Sequence, residues 1–245
     1  AEVCEIYTDV EGVFTADPRL VPEAVKTPRL SYEEMLEMAA TGAKVLQLRS
    51  VEFARNYGVV IHVRSSFSED EGTWIAEADE KMERAIISGV THDIAEAKVT
   101  VADVPDRPGV AARLFQVLAK ENINVDMIIQ NVGEGASTAI SFTVSEEDLD
   151  KAADVSRKIA EDLGAGEVSV DPDIAKVSLV GAGMRTHPGV AADMFSALAE
   201  NEINIEMIST STIKVSCVIS AEDVKKAVSA IHKKFGLDKG VVMRD

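Results

Sequence analysis

Pro108-Gly109-Val110-Ala111-Ala112 returns 80 residues later as Pro188-Gly189-Val190-Ala191-Ala192, and the reading of the chain turns on that return. Working outward, Phe115 recurs as Phe195, Leu118-Ala119 as Leu198-Ala199, Ile123-Asn124 as Ile203-Asn204 and Met127 as Met207, without a gap. Upstream, Ala97-Lys98-Val99 matches Ala175-Lys176-Val177 once two residues are inserted in the second copy. Self-similarity at a fixed spacing marks a duplicated structural unit.

Each copy predicts the same succession of elements. Val99 and Val101 alternate with Lys98 and Thr100, a strand over Lys98–Asp103. Asp106-Arg107-Pro108-Gly109 turns into a helix, with Pro108 at or near the first helical position, where a missing amide hydrogen costs nothing. Val110, Leu114, Val117 and Leu118 form a stripe at helical spacing, and Asn122 closes the helix. A strand over Ile123–Asn131 follows, then a Gly133-Glu134-Gly135 hairpin turn into Thr138–Val144. Ser145 and the acids after it open a helix that runs to Leu163, and Val168–Val170 closes the copy. The second copy predicts strands at Lys176–Val180, Ile203–Thr210, Ile213–Ile219 and Val241–Met243, with helices over 188–201 and 221–235. A βαββαβ order is satisfied by a short antiparallel sheet with both helices on one face, an α+β, ferredoxin-like layering.

Composition narrows the function. Asp and Glu number 42 against 25 Lys and Arg, a formal charge of −17, so no basic stripe exists to neutralise the phosphates of a nucleic acid. An anionic ligand must be held by local groups against an unfavourable field. No apolar run reaches the ~20 residues of a membrane helix, and no signal-peptide pattern opens the sequence. Cys4 and Cys217 both sit in apolar alternating runs and are expected to be buried thiols, not a disulfide or metal site, in keeping with a reducing cytoplasm.

Residues 1–66 are of another kind. Val3–Tyr7 predicts a strand, Ser31–Thr41 a helix capped by Ser31 with Glu33-Glu34 in its first turn, Leu46–Asn56 a second helix and Val59–Val63 a strand. That alternation suggests the end of an α/β domain with a largely parallel sheet. Ligands of such sheets bind beyond the carboxyl ends of the strands. That is where Thr8-Asp9 and the loop Phe14-Thr15-Ala16-Asp17-Pro18-Arg19 fall. Arg19 can offer a fork of donors to phosphate, and Lys44 a point charge. Locally, Asp17-Pro18 is equally well a turn and Arg19 a solvated charge. Residues 67–82, Ser-rich and then acidic, read as a linker in which Trp74 is a packing anchor. The remaining divisions are 83–172, a strand plus the first copy, and 173–245, the second copy.

The duplicated pattern resembles the ACT domain, a βαββαβ module that senses amino acids. Asp106-Arg107-Pro108-Gly109 and Asn122-Ile123-Asn124-Val125-Asp126 carry the likeness. The tandem pair, with Val180-Gly181-Ala182-Gly183-Met184 and Ile208-Ser209-Thr210-Ser211, resembles the regulatory end of aspartate kinases, and Thr8–Arg19 resembles the nucleotide-binding segment of amino-acid kinases. The resemblance implies a phosphotransferase that uses ATP with Mg2+ to phosphorylate aspartate under feedback by threonine, lysine or both. For this chain it implies nucleotide contacts at Thr8, Asp9, Phe14, Thr15, Ala16, Asp17, Pro18 and Arg19, to which Lys44 is added as a point charge on its own chemistry. No catalytic residue and no metal ligand is expected within it. Phe14 stands where the family often has Tyr, and the family's Lys-Phe-Gly-Gly phosphate-binding strand is absent; Lys234-Phe235-Gly236-Leu237 lies at the end of a helix, in the wrong context. A chain opening at Ala1 in mid-domain is therefore expected to be a fragment or processed piece, inactive alone. Met82–Val90 resembles the start of a separately made regulatory subunit, and the resemblance gives Ala85–Val90 a strand in the second copy's sheet.

An amino-acid effector needs donors for its carboxylate and acceptors for its ammonium. The helix start offers the amides of Gly109, Val110 and Ala111, with Gly109 removing an obstructing side chain. Asp106 and Asp126 are candidate acceptors, and Asn124, Gln130 and Asn204 can donate and accept. The resemblance adds Arg107, Pro108, Val125, Ala191, Ile205, Ser211 and Thr212, and sets the helix-start loop of one copy against the Asn-bearing strand of another. His187 is taken as a loop residue near an interface. Expected partners are the amino-acid effector and other subunits, as a homo-oligomer or a hetero-oligomer with a full-length catalytic subunit through ACT–ACT pairing. A non-catalytic regulatory subunit and a free-standing ACT module are the rival readings.

Overall fold

The structure, a computed structural model, describes residues 1–78, 87–132 and 137–240. The expected Gly133–Gly135 turn, the Val241–Met243 strand and the Met82–Ile86 part of the segment before the first copy lie outside the described residues. No helix among the described residues is long and apolar enough to cross a membrane.

The N-terminal segment folds as β1 (Val3–Thr8), β2 (Arg29–Ser31), α1 (Tyr32–Ala40), α2 (Leu48–Tyr57), β3 (Val60–Ser65) and β4 (Thr73–Ala76). Ser31 caps α1 with a reciprocal capping box, its hydroxyl accepting from Glu34 N while Glu34 returns to the Ser31 amide. Met35, Met38, Val51 and Ala54 of the two helices bury against Leu30, Ile61, Val63 and Ile75 of the sheet. The strand order is β1-β3-β4-β2. β1 pairs β3 in parallel, β2 pairs β4 in parallel, and β3 pairs β4 antiparallel. The sheet is therefore mixed, with two of its three pairings parallel and the antiparallel one at its centre. β4 also lies inside the stretch expected to be a linker: Thr73 and Ile75 are buried, and Trp74 stacks on His62 at 3.6 Å between ring centroids. Cys4 departs from expectation too, since it is exposed on edge strand β1, where the pattern is apolar but burial is not.

The next strand, β5 (Gly89–Asp93), leaves this sheet. The first copy then builds β6 (Glu96–Pro105), α3 (Val110–Lys120), β7 (Ile128–Val132), β8 (Ser137–Ser145), α4 (Leu149–Leu163) and β9 (Val168–Asp171), the expected βαββαβ, with strand order β7-β8-β6-β9. Val99, Val101, Leu114, Leu118, Ile140 and Phe142 form its core, with Phe115 edge-on to Phe142. β7 is shorter than expected. Ile123–Met127 forms no regular strand and is tied to β8 at Thr143, through Asp126 N to Thr143 O, Thr143 N to Met127 O and Met127 N to Thr143 Oγ1.

The second copy returns with β10 (Ile174–Val180), α5 (Val190–Ala199), β11 (Met207–Thr210), β12 (Lys214–Ser220) and α6 (Val224–Lys234). Its sheet runs β11-β12-β10-β5. β5 takes the place that β9 holds in the first copy, pairing antiparallel with β10 from Gly89↔Val180 to Asp93↔Lys176. The expected loan of a strand is present as β5 from Gly89, while the Ala85–Ile86 part of the expected Ala85–Val90 strand lies outside the described residues. Compactness follows this exchange: Ala1–Asp93 with Lys176–Asp245 forms one unit, and Ile94–Ala175 another.

Corresponding positions show where the copies differ in strain. Asn122 ends α3 with φ 57°, and Glu202 occupies the same place after α5 with the same φ. Asn tolerates the left-handed region, whereas a residue with a longer side chain pays a steric cost of ~1–2 kcal/mol there. Glu202→Asn is expected to raise the stability of the unit formed by Ala1–Asp93 and Lys176–Asp245 by about 0.5–1 kcal/mol. Urea unfolding of parent and variant chains checks it; an unchanged or lowered midpoint refutes the strain.

Candidate functional site

The loop after β1 is built as a small antiparallel ladder. Thr15 N donates to Val25 O at 2.9 Å and Thr27 N to Val13 O at 2.8 Å, with Phe14 opposite Lys26 between them. Beyond it the chain turns tightly, Leu20 N and Val21 N both donating to Asp17 O. Asp17 then grips Arg19: its Oδ1 accepts from Arg19 N at 2.9 Å and Nε at 3.0 Å, and its Oδ2 from Nη2 at 2.7 Å. This pairing holds the Asp17 carboxyl below the usual carboxylate range. Arg19 is 87% exposed in its side chain, with Nε and Nη2 committed to Asp17 and the Nη1 edge turned outward. Asp17 thus orients Arg19 and is not a free acceptor for a sugar or base.

Thr15 and Ala16 are fully buried, against their expected role as ligand contacts. The Thr15 hydroxyl accepts from Val25 N at 3.0 Å and lies 2.9 Å from His232 Nε2, while Thr15 O accepts from Val90 N at 2.7 Å. Thr15 anchors the loop; Asp17, Pro18 and Arg19 are what the loop presents. Thr8 and Asp9 meet each other at the end of β1, Thr8 Oγ1 donating to Asp9 Oδ1 at 3.0 Å.

Lys44 is exposed after Gly42, whose backbone meets β5: a Cβ there would fall 1.9 Å from His92 O, and φ is +110°. Asp17, Arg19 and Lys44 all act electrostatically on His92. Burial, the larger influence, holds His92 below its ordinary value. Among the described residues no cluster of three or more His, Cys, Asp or Glu is placed to hold a metal ion.

Each copy carries a cavity at its first helix start. In the first, about 370 Å³ is lined by Val104, Pro105, Asp106, Arg107, Pro108, Gly109, Val110, Ala111, Gln130 and Ile140. In the second, about 420 Å³ is lined by Met184, His187, Gly189, Val190, Ala191, Thr210, Ser211, Thr212 and Val215. Gly109/Gly189, Val110/Val190, Ala111/Ala191, Arg107/His187 and Gln130/Thr210 correspond at the repeat spacing. Both volumes fall in the range of small-molecule sites.

The helices begin later than expected, with Gly109 and Gly189 as N-caps at φ 94° and 104° and Pro108 outside the helix. A Cβ on Gly109 would meet nothing within 4 Å, so the backbone angle is what calls for glycine at this turn. Val110 N folds back on Arg107 O at 3.4 Å, leaving the amides of Gly109 and Ala111 without an intrahelical acceptor. Asn124, Asp126 and Asn204 are exposed and Val125 and Ile205 half-buried on the irregular segments, outside both cavities. His187, set aside as a loop residue, lines the second cavity and holds Gly183 O through Nδ1 at 2.8 Å. Carrying Arg107 and Gln130 across the repeat would have marked His187 and Thr210; Met184 has no such signal.

Comparison with known proteins follows these divisions. A model described as the ACT domain matches residues 99–158 and 177–235, and one described as the amino acid kinase family matches residues 1–65. An aspartokinase of Mycolicibacterium smegmatis is 51% identical over 99% of this chain. The chain spans 59% of that relative's length. In a structure of aspartokinase alpha and beta subunits, one chain is 43% identical with a TM-score of 0.59; the match covers 62% of this chain and 99% of that one. The E. coli aspartokinase III structure in complex with lysine and aspartate is 25% identical at a TM-score of 0.75, over 95% of this chain and 52% of that one.

The burial of His232, the partner of Thr15, sets a pH dependence. His232 is 2% exposed, and burial holds its pKa below the ordinary value, against the raising influence of Asp238 and Glu23. The unfolded chain takes up a proton near pH 6.5 while the folded chain does not, so stability is full above that pH and falls as acid is added through the folded pKa. His92 is shifted the same way and adds to the slope. Urea midpoints at pH 7.5 and 5.5 should differ less for His232→Gln than for the parent; equal slopes remove His232 from the explanation.

Proposed function

Because the chain belongs to the aspartate kinase family, we propose that it supplies one wall of the nucleotide site and the amino-acid sensor of an enzyme that phosphorylates the β-carboxylate of aspartate. The observation that carries the sensor reading is the matched pair of cavities, each opening on a helix start, where first-turn amides have no intrahelical acceptor. Those amides suit the effector's carboxylate. In the first cavity Asp106 answers an ammonium and Gln130 both donates and accepts. The second has no carboxylate among its lining residues and offers His187 and the hydroxyls of Thr210, Ser211 and Thr212. The first therefore suits an effector with a second cation, such as lysine, and the second a hydroxyl-bearing one, such as threonine.

On the nucleotide side the outward edge of Arg19 and the Lys44 ammonium neutralise phosphate oxygens, with Asp17 fixing the guanidinium. ATP, when bound, brings the γ-phosphoryl group and the Mg2+ that its own phosphates chelate. Positioning and charge neutralisation dominate phosphoryl transfer, and these 245 residues hold no Lys-Phe-Gly-Gly strand to cradle the transferred group. Turnover then requires that cradle from a longer subunit. Edge strands β7 and β11 expose Ile128 and Ile208 at corresponding positions, apolar edges suited to pairing with another ACT sheet. A non-catalytic regulatory role has its own support in the 99% coverage of one chain from the alpha and beta subunit structure.

Two expectations test these roles. Thermal melts in excess threonine, lysine, methionine or alanine should show stabilisation by an aspartate-family amino acid, about 2.7 kcal/mol at a hundred times its dissociation constant. Thr212→Val should then diminish a threonine shift, whereas a shift abolished by Asn204→Ala would place the effector on the exposed segment instead; no shift with any of them refutes the sensor. In the full-length context, Arg19→Ala and Lys44→Ala should each weaken ATP binding by on the order of 1.5–3 kcal/mol, the worth of a hydrogen bond to a charged group. Isothermal titration with ATP measures this, and parental affinity in both variants would make them ordinary surface charges.

A further inference from the structure

Helix α1 holds the backbone behind both walls of the second cavity through charged side chains one turn apart. Glu34 is 2% exposed, and both of its oxygens are committed. Oε2 accepts from Ser31 N at 3.0 Å and Ser31 Oγ at 2.7 Å; Oε1 accepts from Ala182 N at 3.2 Å and from the Ser88 hydroxyl. Ala182 opens the single 3-10 turn Ala182–Thr186, and Met184 in that turn lines the cavity with His187 just after it. One turn along α1, Glu37 pairs with Lys214 at 2.8 Å, both side chains being mostly buried. Lys214 opens β12, and its carbonyl accepts from Ser211 N at 2.8 Å, so the pair holds the other wall at the Ser211–Thr212 turn. The two walls are themselves joined by Gly181 N to Ile213 O at 2.9 Å.

At its other end α1 delivers Lys44. Thr41 caps the helix and shares a hydrogen bond of 2.6 Å with Thr91, and Gly42 lies against the His92 carbonyl. All these residues belong to one compact unit.

We propose that Glu34 is the positioning residue through which the state of the second-copy cavity reaches the nucleotide side, with Glu37–Lys214 as its second grip. The inference rests on the reading of that cavity as an amino-acid site. A change in the Ala182–Thr186 turn moves the Ala182 amide, Glu34 must follow or lose a bond, and the capping box that seats α1 is disturbed. Glu34→Gln keeps the size but replaces one acceptor oxygen by a donor nitrogen, which must then face either the Ser31 donors or the Ala182 and Ser88 donors.

Hydrogen exchange on the 245-residue chain reads the coupling without ligand. Met184→Ala empties part of the cavity wall and should speed exchange at Met38–Gly42 by about tenfold in the parent background and by less than about twofold in Glu34→Gln. Equal acceleration in both backgrounds, or none in the parent, overturns the proposal. Should Glu34→Gln lower the folded fraction, Lys214→Met carries the same cycle and should reduce the acceleration. Added threonine or lysine separates the two readings. Slowing across Ala182–Ala191 in both backgrounds, with slowing at Met38–Gly42 in the parent only, supports the coupling; slowing at both segments in both backgrounds overturns it. If neither amino acid slows exchange anywhere in the parent, the effector reading fails and the Met184 cycle alone decides the coupling.

Discussion

Strand β10 is buried along its whole length, Ile174 through Val180, and a buried strand must have its amides and carbonyls paired on both edges. β12 serves one edge, and β5, drawn from before the first copy, serves the other. This one ladder determines how the chain is divided. The second copy cannot complete its sheet from its own described strands, so Lys176–Asp245 folds with Ala1–Asp93, and the first copy is an insertion between two halves of a single unit. The loop after β1 and the turn after α1 then take their register from β5. Val90 N holds Thr15 O, Thr91 holds Thr41, and the His92 carbonyl fills the space that Gly42 leaves open.

What could be read from the sequence follows from how far apart the interacting residues lie. Helices α1, α3 and α5 announce themselves locally, through Ser31 with Glu34 or through stripes such as Val110, Leu114 and Leu118. The duplication adds a check that no local pattern provides. β4 escaped because its four residues follow Glu69-Asp70-Glu71, a run that composition assigns to solvent, while its burial comes from β2 and β3 on either side. β7 starts at Ile128 rather than at Ile123 for a related reason. Ile123, Val125 and Met127 alternate with exposed residues as strand residues do, but the backbone there makes only isolated bonds to Thr143. Alternation reports which side chains face the core, not whether a regular ladder forms. Thr15 was the hardest case: a polar residue in a loop motif looks like a ligand contact, and the partner that makes it structural, His232, is 217 positions away.

The duplication also shows what divergence can change at fixed architecture. Gly109 and Gly189 keep the same left-handed turn, and the amides at the helix start are a property of the backbone that side-chain change leaves alone. The rim is free to vary. Replacing Arg107 by His187 and Gln130 by Thr210 alters charge and reach without moving the cavity. A formal charge of −17 gives such local choices more weight. The long-range field is screened beyond ~8 Å at physiological salt, so an anionic ligand responds mainly to the few cations beside it. Arg19 is such a cation on an exposed loop, and Asp17 takes up part of it in exchange for holding it in one orientation.

The choice of contacts between α1 and the second copy bears on how a signal could cross. Apolar packing of Met35 and Met38 tolerates small slides, because dispersion falls off gradually and methionine readily changes rotamer. A buried carboxylate with four donors does not slide. Each of its bonds has a narrow range of distance and angle, and a donor left unpaired in the interior costs about 1–3 kcal/mol. Displacing the Ala182 amide therefore yields either a retained bond and a moved helix, or a broken bond and an unsatisfied group. Both are discrete states, and discreteness is what lets a small change at one wall of a cavity bias the far end of a helix.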